Sequence, residues 1–345
     1  MTMSSTSSKV CNLQLPVWFS ELLGLQEKLD KQEFFLRDVK LKFEEGILRA
    51  DTVLSKQQSQ TEAVFGFKWQ KRDTFESEAS KNAINQWSAR RYGDVKGWLA
   101  KKGEPYVVLD AGCGAAHTAL QYFKPVLNNI LYIGADISEA VDVAKLRMDE
   151  EKANAAFLQC DLNKLPIPNE GLDVIFSEGV LHHTDSTRNA IISLAPLLKK
   201  GGLFMFYVYR KKGPIREFTD DYIREKLQPL NQEEAWKALE PISKLGKVLG
   251  DLNIQIDIPE RVDLLGIDAG EIDIQRLFYW HVFKCFYRPD FTLDEMNHIN
   301  FDWYAPKNAF RQTPEDVRNW CKQASLKIEH EHIEEAGITI VARKG

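Results

Sequence analysis

The sequence predicts an α/β fold built on a mostly parallel sheet with helices on both faces. Three observations carry this. Between residues 106 and 209, short apolar runs rich in β-branched residues alternate with helical runs, the pattern of successive βαβ units. The first apolar run leads into two glycines one residue apart, in VVLDAGCGAAH (107–117). The chain closes on two β-rich runs separated by EEAG, which read as an antiparallel hairpin. Five runs plus the hairpin give a seven-stranded sheet.

Residues 1–9 are short, polar and serine-rich, and are expected to be disordered. Residues 13–60 carry a mixed helical pattern (PVWFSELLGLQEKL) and then a strand around Gly46–Arg49, so 1–60 read as an N-terminal extension or small module. Residues 61–105 hold Phe65, Phe67, Trp69 and Phe75, then the helix KNAINQWSARRYGDVKGWLA. YVVLDAG is the first strand and AAHTALQYFKPVL the helix after it. NILYIGAD is the second strand, followed by SEAVDVAKLRMDEEKA, a helix that Ser138 is placed to cap. AAFLQCD and LDVIFS are the third and fourth strands. The helix DSTRNAIISLAPLLKKGG is expected to end at Gly201 and Gly202, and LFMFYVY is the fifth strand. Residues 61–209 thus form a cofactor-binding core. Residues 210–312 break the alternation and read as a helical insertion that caps the substrate. TPED opens the last helix with Thr313 as N-cap, proline at N1 and acids at N2 and N3, and 313–345 complete the core.

The 345 residues are 44% hydrophobic and 28% charged, with a net charge of -5, which argues against nucleic-acid binding as the main function. Cys11, Cys113, Cys160, Cys285 and Cys321 are widely spaced, so neither a disulfide framework nor a zinc site is expected. No apolar run approaches the roughly 20 residues of a bilayer span, and none follows the N-terminus as a signal peptide would require. A soluble, cytoplasmic chain without membrane insertion is expected, and self-association is left open.

Ligands of open α/β sheets bind at the carboxyl ends of the strands, where Gly112 and Gly114 sit. The free N–H groups of the next helix can receive an anion there, although a plain turn explains the glycines as well. Asp136 ends the second strand, 24 residues after Gly112. A carboxylate there can hold both hydroxyls of a ribose; the other reading is a helix cap, a job Ser138 already suits. Both NAD and S-adenosylmethionine satisfy this much. Three details favour the second. His117 stands where a dinucleotide site needs a third glycine. Asp110, two residues before Gly112, suits an ammonium and repels a pyrophosphate. Asp161 ends the third strand, placed for an adenine edge.

The blocks VVLDAGCG (107–114), IGADIS (133–138), LQCDLNKLPIP (158–168), LDVIFSEGVLHHT (172–184) and LLKKGGLFMF (197–206) resemble, in order, the class I S-adenosylmethionine-dependent methyltransferases. The resemblance covers about residues 106–209 plus the terminal hairpin. It implies a Rossmann-like fold and S-adenosylmethionine as cofactor. It places Asp110 and the backbone of Gly112 and Gly114 at the methionine end, Asp136 at the ribose, and Asp161 with Leu162 at the adenine. Cys113, Ile137 and Ser177 join these cofactor contacts. Ala116 stands where many members have another glycine, a difference of one methyl. Trp69 either lies against the sulfonium or packs in the core. FEEGILRAD (43–51) is faintly similar to small modules that precede some of these enzymes, but the zinc-binding cysteines such modules carry are missing, and no metal is assigned.

Aromatic residues crowd the insertion between Phe278 and Phe310, either as core or as the wall of an apolar pocket. Tyr279, Trp280, Phe283 and Phe286 have the spacing of a packed helix face. His281, His298, Asn300 and Asp302 are interleaved with the aromatics. Arg210, Lys211, Arg216, Glu217, Asp220 and Arg224 follow the fifth strand, either as a solvated helix face with an Asp220–Arg224 pair or as contacts to an anionic or carbonyl-bearing substrate. Candidates for a general base are Glu178, His182 and His183 after the fourth strand, with His281 and His298 as rivals in the cap. One of the paired histidines can equally be buried for structure. The expected activity is transfer of a methyl group to an O, N or C nucleophile of a small, partly apolar or aromatic acceptor by in-line displacement. The alternatives are a non-catalytic cofactor-binding or regulatory protein, and a NAD(P)-dependent oxidoreductase that His117 and Asp110 disfavour.

Overall fold

The computed structural model describes residues 15–25, 33–99 and 103–345; residues 1–9 and Cys11 lie outside them. The chain begins with α1 (Val17–Leu23) and a three-stranded meander, β1 (Glu33–Leu36), β2 (Val39–Glu44) and β3 (Ile47–Ala50). Helices α2 (Lys56–Gln70), α3 (Glu78–Tyr92) and α4 (Val95–Trp98) follow. The alternating region then gives β4 (Tyr106–Ala111), α5 (His117–Phe123), β5 (Ile130–Asp136), α6 (Ala140–Glu150), β6 (Ala155–Gln159), β7 (Leu172–Glu178), α7 (Thr187–Leu194) and β8 (Leu198–Tyr209). The insertion consists of α8 (Pro214–Leu227), α9 (Gln232–Asp251), the small hairpin β9 (Gln255–Ile258) and β10 (Gly270–Asp273), α10 (Ile274–His281) and α11 (Leu293–Tyr304). Helix α12 (Pro314–Gln323) and the hairpin β11 (Leu326–Ile333) and β12 (Gly337–Lys344) close the chain.

The main sheet runs β1-β2-β3-β6-β5-β4-β7-β8-β12-β11. Strands β3, β6, β5, β4, β7 and β8 are mutually parallel, and β12 and β11 are antiparallel at one edge. The seven expected strands are therefore present in one sheet. Three more extend it, because the meander docks β3 alongside β6 with Leu48 opposite Leu158. The expected strand at Gly46–Arg49 is this docking strand, so the break assigned at residue 60 does not coincide with a break in the sheet.

Both faces are covered, as a parallel sheet requires. On one, Leu109, Ile133, Ile175, Phe204 and Ile340 pack with Phe19 of α1, Ile191 of α7 and Val317 of α12. On the other, Val108, Tyr132, Phe176 and Met205 pack with Tyr92 of α3, Phe123 of α5 and Met148 of α6. A third cluster joins Val64 of α2 and Tyr209 to Leu239 of α9 and to Phe301, Trp303 and Tyr304 of α11. It fastens the insertion above the sheet.

Helix boundaries follow cap chemistry, with three corrections. The capping box at Thr313 forms as read, Thr313 and Asp316 exchanging side-chain and backbone bonds. The helix after β4 stops at Phe123 and continues as a tighter turn over Lys124–Asn129, because Pro125 lacks the donor a regular helix needs. The helix after β7 ends at Leu194, ahead of Pro196, and Gly201 and Gly202 lie inside the long strand β8. The helix assigned to Ser138 starts at Ala140 with Glu139 as its N-cap, while the Ser138 hydroxyl donates to Asp136 at 2.7 Å and accepts from Ala140 N at 3.3 Å.

Candidate functional site

A cavity of about 380 Å³ opens at the carboxyl ends of β4, β5, β6 and β7. Its floor holds Asp110, Gly112, Cys113, Asp136, Ile137, Asp161, Leu162 and Glu178. Its other walls come from Phe65, Lys68 and Trp69 of α2 and from the insertion, including Trp280, His298 and Trp303. Nearly all the sequence-assigned cofactor residues are thus gathered on one floor beneath an aromatic roof.

The turn after β4 depends on its glycines. Gly112 has φ +84° and Gly114 φ +48°, both in the left-handed region that penalises a side chain. Both are also closely approached. A Cβ on Gly112 would stand 2.1 Å from Cγ1 of Val180, and one on Gly114 would stand 2.6 Å from Nε1 of Trp69. Ala116, read as a difference of one methyl, sits at φ 54°, so it also carries backbone strain of about 1–2 kcal/mol. Trp69 lies over the glycine turn and packs edge-on against Phe75 and His298. One of its faces already has a cation, since Lys68 Nζ is 4.1 Å from the ring centroid.

Asp136 anchors the turn. One carboxylate oxygen accepts from Gly114 N at 2.8 Å and the other from Ser138 N at 2.8 Å and its hydroxyl at 2.7 Å. A carboxylate offers about four lone-pair sites, so roughly one is left for a ligand hydroxyl. Burial raises its pKa, while the bonds from Ser138 and Gly114 oppose the shift. Asp161 accepts from Asn163 N at 2.9 Å and starts a short helical turn.

Asp110 is buried and accepts from the Tyr132 hydroxyl at 2.6 Å. Burial pushes its carboxyl up to about 7, the Tyr132 bond opposes this, and the charges of Asp136 and Glu178 add to the rise. A cation bound beside it favours the ionised form, so binding below that pH displaces a proton. The affinity for a ligand bearing an ammonium should therefore rise by up to about tenfold per pH unit as pH climbs towards 7, then level off. Calorimetry with S-adenosylhomocysteine across this range checks it, and a flat profile would remove Asp110 from the cation site.

The candidate bases separate. His182 does not line the cavity. Its ring lies tilted against Tyr209 with centroids 3.7 Å apart, and neither nitrogen has a hydrogen-bond partner among the described residues. Burial drives its pKa well below the usual histidine value. Successive residues of the tight turn Leu181–His183 point in different directions, so His183 reaches the cavity and His182 does not. His183 Nδ1 lies 2.5 Å from the Asn308 carbonyl, which can only accept. The ring is therefore protonated at Nδ1 and keeps its Nε2 lone pair, and burial holds its pKa down to about 4. His298 lines the cavity in the same tautomer. Thr74 gives its hydroxyl proton to Lys71 O and so accepts from His298 Nδ1 at 2.7 Å. Glu178 faces the cavity and accepts from Trp87 Nε1 at 2.8 Å and from the Tyr92 hydroxyl.

Two further assignments are corrected. His281 ends α10 half-buried and off the cavity, and that helix presents Tyr279 and Trp280 instead. Ser177 donates to Ala111 O at 2.8 Å and does not line the cavity. Strand alternation explains this, because Phe176 and Glu178 face the cavity from either side of it.

The charged run after β8 divides: Lys211 is exposed, Arg216 is buried and lines the cavity, and Asp220 pairs with Arg216 rather than Arg224. Arg216 and Asp220 are both 1% exposed and bonded to each other at 2.5 Å, while Arg224 donates to Trp303 O. Three cavity-lining lysines drew no functional reading from the sequence: Lys68, Lys212 and Lys284. Lys68 is paired with Asp302, which also accepts from the Tyr209 hydroxyl at 2.8 Å. Burial raises the Asp302 pKa, but Lys68, His183 and Lys284 outweigh it and hold the carboxyl well below its usual range. Burial in turn pushes Lys68 down. With Tyr209 also donating, the carboxylate is the stabilised form and we take the pair as ionised.

Residues 109–206 match the family described as Methyltransferase domain. An uncharacterised methyltransferase of Bacillus subtilis (strain 168) is 29% identical over 177 residues, covering 48% of this chain and 69% of that protein. A probable tRNA methyltransferase 9B of Homo sapiens is 28% identical over 145 residues, covering 41% of this chain and 30% of that protein. A solved 1,6-didemethyltoxoflavin-N1-methyltransferase of Burkholderia thailandensis is 12% identical with a TM-score of 0.42, covering 91% of this chain and 99% of that one. Among the described residues no helix is long and apolar enough to cross a membrane, and no group of acids, histidines and cysteines could hold a metal.

Proposed function

Because this chain carries a class I S-adenosylmethionine-dependent methyltransferase domain, we propose that it methylates an O, N or C nucleophile of a small, partly apolar or aromatic acceptor. The observation that carries the acceptor class is the continuity of the cavity. The floor of acids and glycines and the roof of Tyr279, Trp280, Phe286 and Trp303 bound one space. A cofactor and a flat acceptor laid along it would meet beside Gly179, Val180 and His183.

The donor set suits the cofactor. S-adenosylmethionine carries an ammonium and a sulfonium, and the floor offers Asp110, Asp136, Asp161 and Glu178 with Trp69 beside them. When bound it supplies a methyl group already activated by the positive sulfur. The protein's part is orientation and exclusion of water. Glu178, held by Trp87 and Tyr92, stays fixed and adds negative potential at the floor. His183 is the base favoured by its fixed tautomer and its place after β7, with His298 the rival.

If the acceptor loses a proton to His183, His183→Gln should lower kcat about 10²–10⁴-fold and leave cofactor affinity unchanged. His298→Gln would take over that effect if His298 is the base. Equal turnover in both variants would mean that the nucleophile arrives without a proton to lose. The proposal as a whole is tested by incubating the protein with labelled S-adenosylmethionine and a panel of small aromatic acceptors, with tRNA in parallel. The relatives named as tRNA methyltransferases favour this second reading. Label on the tRNA alone would replace the small-molecule acceptor with RNA.

A further inference from the structure

The two ends of the cavity carry opposite charge. Asp110, Asp136, Asp161 and Glu178 lie at the strand end, while Lys212, Arg216 and Lys284 meet at the roof. The three roof cations come from separate places: Lys212 follows β8, Arg216 sits in the first turn of α8, and Lys284 lies beyond α10. All three surround one indole. The Trp303 ring centroid is 5.0 Å from Lys284 Nζ, 5.6 Å from Lys212 Nζ and 5.3 Å from the Arg216 guanidinium carbon.

Among the described residues, Arg216 alone of the three has a side-chain ion pair. It bonds to Asp220, which is itself used up by Trp303 Nε1 at 2.8 Å, the Tyr304 hydroxyl at 2.7 Å and Lys284 N at 3.2 Å. Lys212 Nζ donates to the carbonyls of Glu335 and Ala336. Lys284 Nζ makes no hydrogen bond or ion pair among the described residues, although the residue is 6% exposed and lines the cavity. Buried cations are kept in proteins when something pairs with them, and among the described residues Lys284 has only the face of Trp303.

Burial and the charges of Arg216 and Lys284 drive Lys212 well below the usual lysine range. Burial pushes Lys284 down to about 7. Around it, Asp302 of α11 and Asp220 of α8 favour the charged form, and Arg216 of α8 and Lys68 of α2 oppose it. Arg216 is paired with Asp220, which leaves Lys212 and Lys284 as cavity-lining amines without a carboxylate partner among the described residues. A carboxylate, with two oxygens, can accept from both amines at once.

We propose that the roof of the cavity binds the carboxylate of the acceptor between Lys212, Arg216 and Lys284, so that the substrate is an aromatic or apolar carboxylic acid methylated at its other end. This rests on the methyltransferase reading of the same cavity. The aromatic walls hold the body of the acid, and its anion is anchored at the opposite end from the cofactor's positive sulfur. The anchor sets which end of the acceptor faces the methyl donor.

The test is calorimetric titration of the whole protein, with S-adenosylhomocysteine present, against benzoate, phenylacetate and cinnamate and their three primary amides. At least one acid should bind about ten- to a hundredfold more tightly than its amide. The acid's affinity should fall as pH rises from about 6 to 8, because Lys284 loses its proton, and the amide's should not change. Lys284→Met should abolish the preference for the acid and leave the affinity for S-adenosylhomocysteine intact, which also shows that the variant is folded. Equal binding of acids and amides, or no binding of any acid, overturns the proposal when S-adenosylhomocysteine binds. Failure of S-adenosylhomocysteine itself to bind overturns the methyltransferase reading instead. An inorganic phosphate titration that competes fully with the acids would replace the carboxylate with a phosphate ester.

Discussion

Gly112→Ala should cost the protein both stability and its cofactor. The alanine would have to hold φ +84°, and its Cβ would lie 2.1 Å from Val180 Cγ1 and 2.6 Å from Cγ2. Left-handed backbone costs about 1–2 kcal/mol in a residue with a side chain, and forced overpacking a further 1–3 or so. The expected loss is about 2–5 kcal/mol in denaturant unfolding. Val180 cannot retreat freely, because it lines the cavity on one side and packs against the core on the other. The shift therefore passes into the floor, and affinity for S-adenosylhomocysteine should fall at least about tenfold. Gly179→Ala is the comparison. It has φ +75° with nothing within 4 Å of the added carbon, so it should show only the backbone cost of about 1–2 kcal/mol. If the two variants lose the same stability, close approach to Val180 is not what the glycine serves.

Asp302→Ala should be the most damaging change in the cavity wall. It strands the Lys68 ammonium, which is 4% exposed, and removes the acceptor of the Tyr209 hydroxyl. Breaking a buried pair typically costs 3–5 kcal/mol, and we expect about 3 here because the Asp302 side chain keeps 24% accessibility. The double change Lys68→Met with Asp302→Leu should recover much of it, since an apolar pair of similar volume carries no stranded charge. The pH dependence has a definite sign. A carboxyl held below its usual value contributes stability above the unfolded-state pKa and loses it as pH falls through the folded one. Wild type should lose this contribution only in strong acid, and Asp302→Ala should lack that acid-dependent part. A double variant no more stable than Asp302→Ala would locate the cost elsewhere.

The core of the fold was legible because its signals are local. VVLDAG, ILYIGAD and LDVIFSE are apolar along their length, as strands buried on both faces must be, and TPED writes its own cap. The docking of β3 on β6 was not legible, since ILRA gives no sign of which edge it will meet. The floor of the cavity was read almost completely, because its acids and glycines stand at strand ends that can be counted. Gly114 and Ser177 do not line it, and for Ser177 alternation with Phe176 and Glu178 held the signal. The roof was hidden by charge. The sequence leaves Arg216 and Asp220 between a solvated helix face and a substrate contact and says nothing of Lys68, Lys212 and Lys284, because most of the partners that decide lie far away in the chain. His182 and His183 look equivalent in sequence, and only the direction of each ring tells them apart.

The contacts that close the cavity span nearly the whole chain. Lys68 meets Asp302 across 234 residues, Thr74 meets His298 across 224, and Thr61 meets Asn308 across 247. The strands beneath them pair with close neighbours by comparison, β4 with β5 and β7 with β8. Closing long loops is entropically costly and comes late. The sheet is therefore expected to assemble first and the chamber to seal last. In pulsed hydrogen exchange, the amides of β4 and β7 should gain protection before those of α2. A folding chain would pass through a stage with a finished sheet and an open, unlined bowl above it, unable to hold its ligands until α2 and α11 have met.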